Sequence, residues 1–173
     1  RLFNELGDAH VMALDLYDGK VATNRDSAGK YMMSADADRI NSILDAVISS
    51  LPENAEVGTI GWCFGGGWSL KTALAAGEKT KACVMYYGMP VEDVEQLKTL
   101  SSDVLFIFAK QDQWINKEVA DKFKTNMKAA GKNLMVKSFD ADHAFANPTQ
   151  EHYLEAAAAE ANALSLEFLQ ERL

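Results

Sequence analysis

Five short apolar runs, each followed by a longer segment, restrict this chain more than any other feature of its sequence. They are HVMALDL (10–16), EVGTIGW (56–62), KACVMYYG (81–88), DVLFIFA (103–109) and LMVKSF (134–139). Runs of this length and composition read as strands. The run at 103–109 is apolar throughout, as in strands covered on both faces. The segments in between carry helical signals. ADADRINSILDAVISSL (35–51) sets Ile40, Ile43, Leu44, Val47 and Ile48 at helical spacing and stops before Pro52. Further helices are predicted at 66–77, closed by Gly77, and at 91–100. Another is predicted at 116–131, where Asn116 suits the N-cap, Glu118 the first turn and Gly131 the stop. Val119, Phe123 and Met127 form its apolar stripe. The last helix is predicted at 148–173, with Tyr153, Ala157, Ala161, Leu164 and Phe168 on one face and a strongly helix-forming alanine run in the middle. Strand alternating with helix in this way specifies an α/β domain with a mostly parallel sheet and helices on both faces. No repeat or linker composition divides the chain, so 1–173 reads as a single domain.

Composition narrows the partners. The chain has 173 residues, 48% of them hydrophobic, enough to bury a core. Its formal net charge of -8 repels phosphate backbones and anionic lipid, so neither nucleic acid nor a membrane surface is an expected partner. No apolar run approaches the roughly 18–20 residues that span a bilayer. No signal peptide is visible either. The two cysteines, Cys63 and Cys83, form no CxxC pair. His10, His143 and His152 show no metal-ligand spacing with them, so no metal or other cofactor is expected. This reduced-looking cysteine usage suggests the cytoplasm. Cys83, inside a predicted strand, reads as a small hydrophobe.

Chemistry in such sheets gathers at the carboxyl ends of the strands. After the second strand comes Gly61-Trp62-Cys63-Phe64-Gly65, with Gly66 and Gly67 beyond. A nucleophile on a sharp strand-to-helix turn needs small neighbours, hence the G-x-nucleophile-x-G pattern. The positive end of the following helix suits a reactive sulfur. The Phe64 N–H would face the oxyanion formed on a substrate carbonyl. The phosphate-binding patterns GxGxxG and GxxxxGK[ST] are absent. A tight turn that merely contains cysteine is the alternative. Asp112 in KQDQ and His143 in DADHAFANP each read, taken singly, as loop residues. Together, Cys63, Asp112 and His143 follow the nucleophile–acid–histidine order of the α/β-hydrolases, each after its own strand. Of the aromatic residues near these strand ends, Trp62, Trp114 and Phe145 are candidates for the walls of a substrate pocket, and Tyr86 for the core.

Through LDLYDG, GWCFGGG, MYYG, AKQDQWI and DADHAFANP, the chain resembles the dienelactone hydrolase family over nearly its whole length. The resemblance implies that Cys63 is the nucleophile, Asp112 the orienting acid and His143 the base. It also implies hydrolysis of a small-molecule ester or lactone through a thioester, by a monomer or homodimer. Family members that act on dienelactone hold its carboxylate with two arginines. This chain has Asp18-Gly19 and Asn147 at those positions, so a neutral ester or lactone is the expected substrate. The family also has further N-terminal strands, which supply a second oxyanion donor and a glutamate that interacts with the cysteine. One of its strands lies between those corresponding to 11–16 and 57–61. The expectation is therefore an α/β-hydrolase sheet that lacks its N-terminal strands, with Arg1 in the first helix of a longer natural chain. Either residues are missing or the two flanking strands have closed up, because central strands need hydrogen-bond partners. Two alternatives stand beside the hydrolase: a non-catalytic or degenerate hydrolase-fold protein, and a redox-active thiol, for which no resolving cysteine is evident.

Overall fold

The computed structural model describes residues 6, 7 and 9–173; the helix expected around Arg1 lies outside them. The chain divides into two compact units, residues 9–53 and the remainder. The first contains α1 (Arg25–Met33) and α2 (Ala37–Ser50). The second runs β1 (Val57–Trp62), α3 (Phe64–Ala76), β2 (Thr80–Tyr86), α4 (Val94–Lys98), β3 (Asp103–Ala109), α5 (Lys117–Ala129), β4 (Leu134–Phe139) and α6 (Glu155–Gln170).

All four strands are parallel, in the order β1-β2-β3-β4. The two-residue period of β2 and β3 sorts their side chains into two cores. Cys83, Met85, Val104, Phe106 and Phe108 face one way, toward Leu70 and Ala73 of α3, Leu97 of α4, and Ala120, Phe123 and Met127 of α5. Ala82, Val84, Tyr86, Leu105, Ile107 and Ala109 face the other way, toward Ala161, Phe168 and Leu169 of α6. Strands covered on both sides account for the unbroken apolar run of β3. The helix ends follow the capping rules: Asn116 accepts from the Val119 N–H, and Gly131 adopts a positive φ of 69° just beyond α5.

Two expectations are corrected, and one helix is added. HVMALDL is not a strand. Residues 10–15 have no regular structure, and the Asp15 carboxylate accepts from the N–H groups of Tyr17 (2.9 Å) and Gly19 (2.5 Å). A local turn thus takes donors that a ladder would need. The last helix starts at Glu155 rather than at 148. The Asn147 side chain accepts from the Thr149 N–H (3.0 Å) and hydroxyl (2.9 Å), and further turns carry the chain to Leu154. Tyr153 therefore precedes the helix instead of joining its buried face. Finally, α1 has no apolar periodicity. It is set by a capping box in which Asn24 accepts from the Ser27 N–H and the Ser27 hydroxyl faces the Asn24 N–H, and it buries no residue.

Phe106 is fully buried at the centre of the larger core, with its ring 5.6 Å from Phe123 and 6.1 Å from Phe108. Phe106→Ala is expected to cost about 3–5 kcal/mol in a denaturant titration, as large-to-small changes do in closed cores.

Candidate active site

The β1–α3 turn is built by close backbone packing. Cys63, the N-cap of α3, has φ 53° and ψ -119°, a region that side-chain-bearing residues rarely occupy. It is held there because its N–H donates to the Tyr86 carbonyl (2.9 Å) and its own carbonyl accepts from the N–H groups of Gly66 and Gly67. A Cβ on Gly61 would stand 2.0 Å from the Gly65 carbonyl oxygen, and one on Gly66 2.7 Å from the Tyr86 oxygen. The trailing glycine of the G-x-C-x-G pattern departs from expectation: a Cβ on Gly65 would meet nothing within 4 Å. The steric demand falls instead on Gly66 and on Gly88, whose Cβ would lie 2.4 Å from the Gly66 carbonyl carbon. Gly88 was not evident as part of the turn, since only the β1–β2 pairing brings it there.

Three side chains distant in sequence meet at this edge. His143 Nε2 lies 3.0 Å from Cys63 Sγ, and His143 Nδ1 lies 2.5 Å from Asp112 Oδ2. The other carboxylate oxygen of Asp112 accepts from the N–H groups of Trp114 (2.8 Å) and Ile115 (2.9 Å). The acid is buried, whereas the histidine and the cysteine are half-buried. The sequence pattern of the dienelactone hydrolase family matches residues 10–173.

The chain belongs to the dienelactone hydrolase family.

With that family it joins the hydrolases of carboxylic esters and lactones. It is 29% identical over 173 residues to "Protein usf" of Aquifex pyrophilus, covering 94% of this chain and 75% of that one. It is 31% identical over 114 residues to a carboxymethylenebutenolidase of Pseudomonas sp. (strain P51), covering 65% and 47% respectively. The crystal structure of the dienelactone hydrolase from Anabaena variabilis superposes with a TM-score of 0.60 at 18% identity, over 88% of this chain and 69% of that one, a likeness of fold. The parallel α/β-hydrolase sheet expected from the sequence is observed, with four strands and without the one expected at 10–16.

In this dienelactone hydrolase family member the electrostatics of the three groups are coupled. Burial alone would raise the Asp112 carboxyl. The His143 hydrogen bond, the two backbone N–H groups and the nearby imidazole outweigh it and hold Asp112 below the usual carboxylate range. Burial would lower His143, but its hydrogen bonds to Asp112 and Cys63 and their charges outweigh that and push it up to about 9. Cys83 contrasts with this site. It is fully buried beside Ser69, and burial pushes its thiol up to about 11, the state of an inert core residue.

Strain concentrates here too. Among the described residues, four non-glycines have positive φ, and three of them, Cys63, Tyr87 and Ala144, adjoin the site. The last two were not singled out from the sequence, which carries no sign of them. Phe64 opens α3, directly after Cys63. Trp62 and Trp114 are both exposed, with Trp62 against Tyr86 and Trp114 against His143. Phe145 has no exposed surface. It packs on Tyr87 and Phe139 in the α6-side core, so the expectation of a pocket wall is corrected for this residue. Tyr86 lies in the core, as expected, and its hydroxyl meets Ser165 and Asn162. A groove of about 340 Å³ lined by Asp103, Asn133, Met135 and Arg172 lies at the amino ends of β3 and β4, remote from Cys63.

Two outcomes test this geometry. Gly88→Ala, which must force two backbones apart, is expected to lower Tm by several degrees, whereas Gly65→Ala, in open space within α3, is expected to leave it unchanged or raise it; calorimetry of both variants checks this. The raised His143 value favours the folded state when the imidazole is protonated. That stabilisation is complete below the ordinary value of about 6.5 and is lost as pH rises through about 9. The stability difference between wild type and His143→Gln, from urea titrations across pH 6 to 10, is therefore expected to shrink with rising pH. A flat difference would refute the coupling.

Proposed function

We propose that this protein hydrolyses a neutral carboxylic ester or lactone through a thioester formed on Cys63. The observation that carries the reading is the 3.0 Å contact between His143 Nε2 and Cys63 Sγ, with the far side of the same ring on Asp112. Nucleophile, base and orienting acid in this relation form the recurring unit of acyl transfer.

The steps follow from the charges. His143 is protonated at neutral pH and donates from Nδ1 to Asp112 and from Nε2 toward sulfur. The sulfur attacks as thiolate, and the C–S bond forms as the carbonyl electron pair moves onto oxygen. The oxyanion is held in part by the Phe64 N–H, at the start of α3, where the helix dipole is positive. The C–O bond breaks, and the leaving alkoxide takes the Nε2 proton. The imidazole, now neutral, removes a proton from the water that attacks the thioester. Collapse breaks the C–S bond, releases the acid and returns the sulfur to its place beside His143. Asp112 stays ionised throughout and fixes the ring. Proton transfers of this kind contribute on the order of 10²–10⁴-fold. Trp62 and Trp114 offer apolar surface to the substrate.

A neutral substrate fits the side chain at Asn147. In place of a guanidinium fork stands an amide whose oxygen is occupied by Thr149.

Turnover of a p-nitrophenyl ester panel is expected to fall at least ~10³-fold in Cys63→Ala. Acid-quenched wild type is expected to carry the acyl mass on the Cys63 peptide. Undiminished turnover in Cys63→Ala would exclude the thioester route. Between matched lactones, kcat/KM is expected to be higher for the neutral one than for the one bearing a carboxylate.

A further inference from the structure

Two aromatic rings pack on the His143 imidazole, and neither belongs to the hydrogen-bonded triad. The Tyr87 centroid lies 5.0 Å from it at 55°, and the Trp114 centroid 5.1 Å at 84°. Tyr87 is 1% exposed and tied by its N–H to the Ile107 carbonyl (2.8 Å), so it belongs to the fold. Trp114 is 63% exposed and contributes little burial. Its backbone N–H nevertheless binds the acid while its ring touches the base.

A histidine needs such help. Rotation about its χ2 is broad, without the deep staggered wells of an aliphatic side chain. The bond to Asp112 fixes Nδ1, so a swing of the ring about that contact is opposed only by Cys63 at Nε2 and by the rings packed on the imidazole. Such a swing carries Nε2 away from Cys63. A neighbouring ring that occupies the swept space removes this freedom.

We propose that Trp114 is a positioning residue, whose indole holds the His143 imidazole in line with Cys63 while its N–H holds Asp112. The inference rests on the acyl-transfer reading of the triad and adds a role to Trp114 beyond that of a substrate wall. The groups that face the imidazole are Cys63 from the β1–α3 turn, Asp112 from the segment after β3 and the Tyr87 ring from the end of β2. Two of these contacts, with Cys63 and Asp112, are what raise the proton affinity of His143. A ring that swings loosens both.

Trp114→Ala isolates the indole, because every residue except proline keeps the N–H bond to Asp112. Its kcat is expected to fall about 10–100-fold, the scale of a small misplacement of a catalytic group, whatever rise in KM the lost apolar surface brings. Trp114→Phe, which keeps a ring, is expected to restore kcat to within about 3-fold of wild type. In the resting protein, the His143 C–H resonance, assigned with His143→Gln, is expected to titrate at lower pH in Trp114→Ala than in wild type. A raised KM with unchanged kcat and an unmoved titration would overturn the proposal and leave the indole as a wall for substrate. Failure of the triad reading shows differently: Cys63→Ala would then turn over as well as wild type. The His143 titration, which needs no turnover, would still decide the role of Trp114.

Discussion

The hydrogen bond from the Cys63 N–H to the Tyr86 carbonyl carries the β1–β2 ladder one residue past the end of β1, into a turn that would otherwise relax. It keeps Cys63 at positive φ and so aims the start of α3 across the sheet edge. The cost of that conformation, of order 1–3 kcal/mol, is borne by the packing around it. Gly66 and Gly88 let two backbones approach more closely than any side chain would allow. β2 thus serves twice: Tyr86 anchors the turn, and Tyr87, one residue on, lies against the histidine. Parallel pairing brings the carboxyl ends of β1, β3 and β4 to one rim, and Cys63, Asp112 and His143 follow from there.

The charge arrangement is graded with depth. Asp112 is sealed from solvent and satisfied on both oxygens, one by the imidazole and the other by two backbone donors. His143 lies above it, and the sulfur lies at the far side of the ring. A buried carboxylate with this many donors remains an anion, and it can stabilise imidazolium without competing for the proton. The aromatic neighbours of the histidine add shape rather than charge. They limit where the ring can go.

Much of this was legible in the residues because it follows from period and order. The two-sided burial of β3, the N-cap at Asn116 and the stop at Gly131 are local or near-local. The meeting of Cys63, Asp112 and His143 follows once the three strand ends are placed on one edge. The less legible parts depend on contacts across the fold. Gly88 matters only because β2 lies beside β1. Phe145 follows His143 by two residues, yet it turns inward beneath Tyr87, and no local pattern distinguishes it from the exposed Trp114. HVMALDL has strand composition, but the turn organised by its Asp15 carboxylate prevails. The helix proposed from 148 is interrupted by the turn that Asn147 organises.

The two thiols differ in what can reach them. Cys83 is shut between the sheet and α3, beside Ser69, whereas Cys63 is partly open at the rim. In the native state, a small alkylating reagent therefore meets a single sulfur. Labelling stoichiometry becomes a direct count of intact sites in a preparation, and a second equivalent taken up reports chains that have opened their interior.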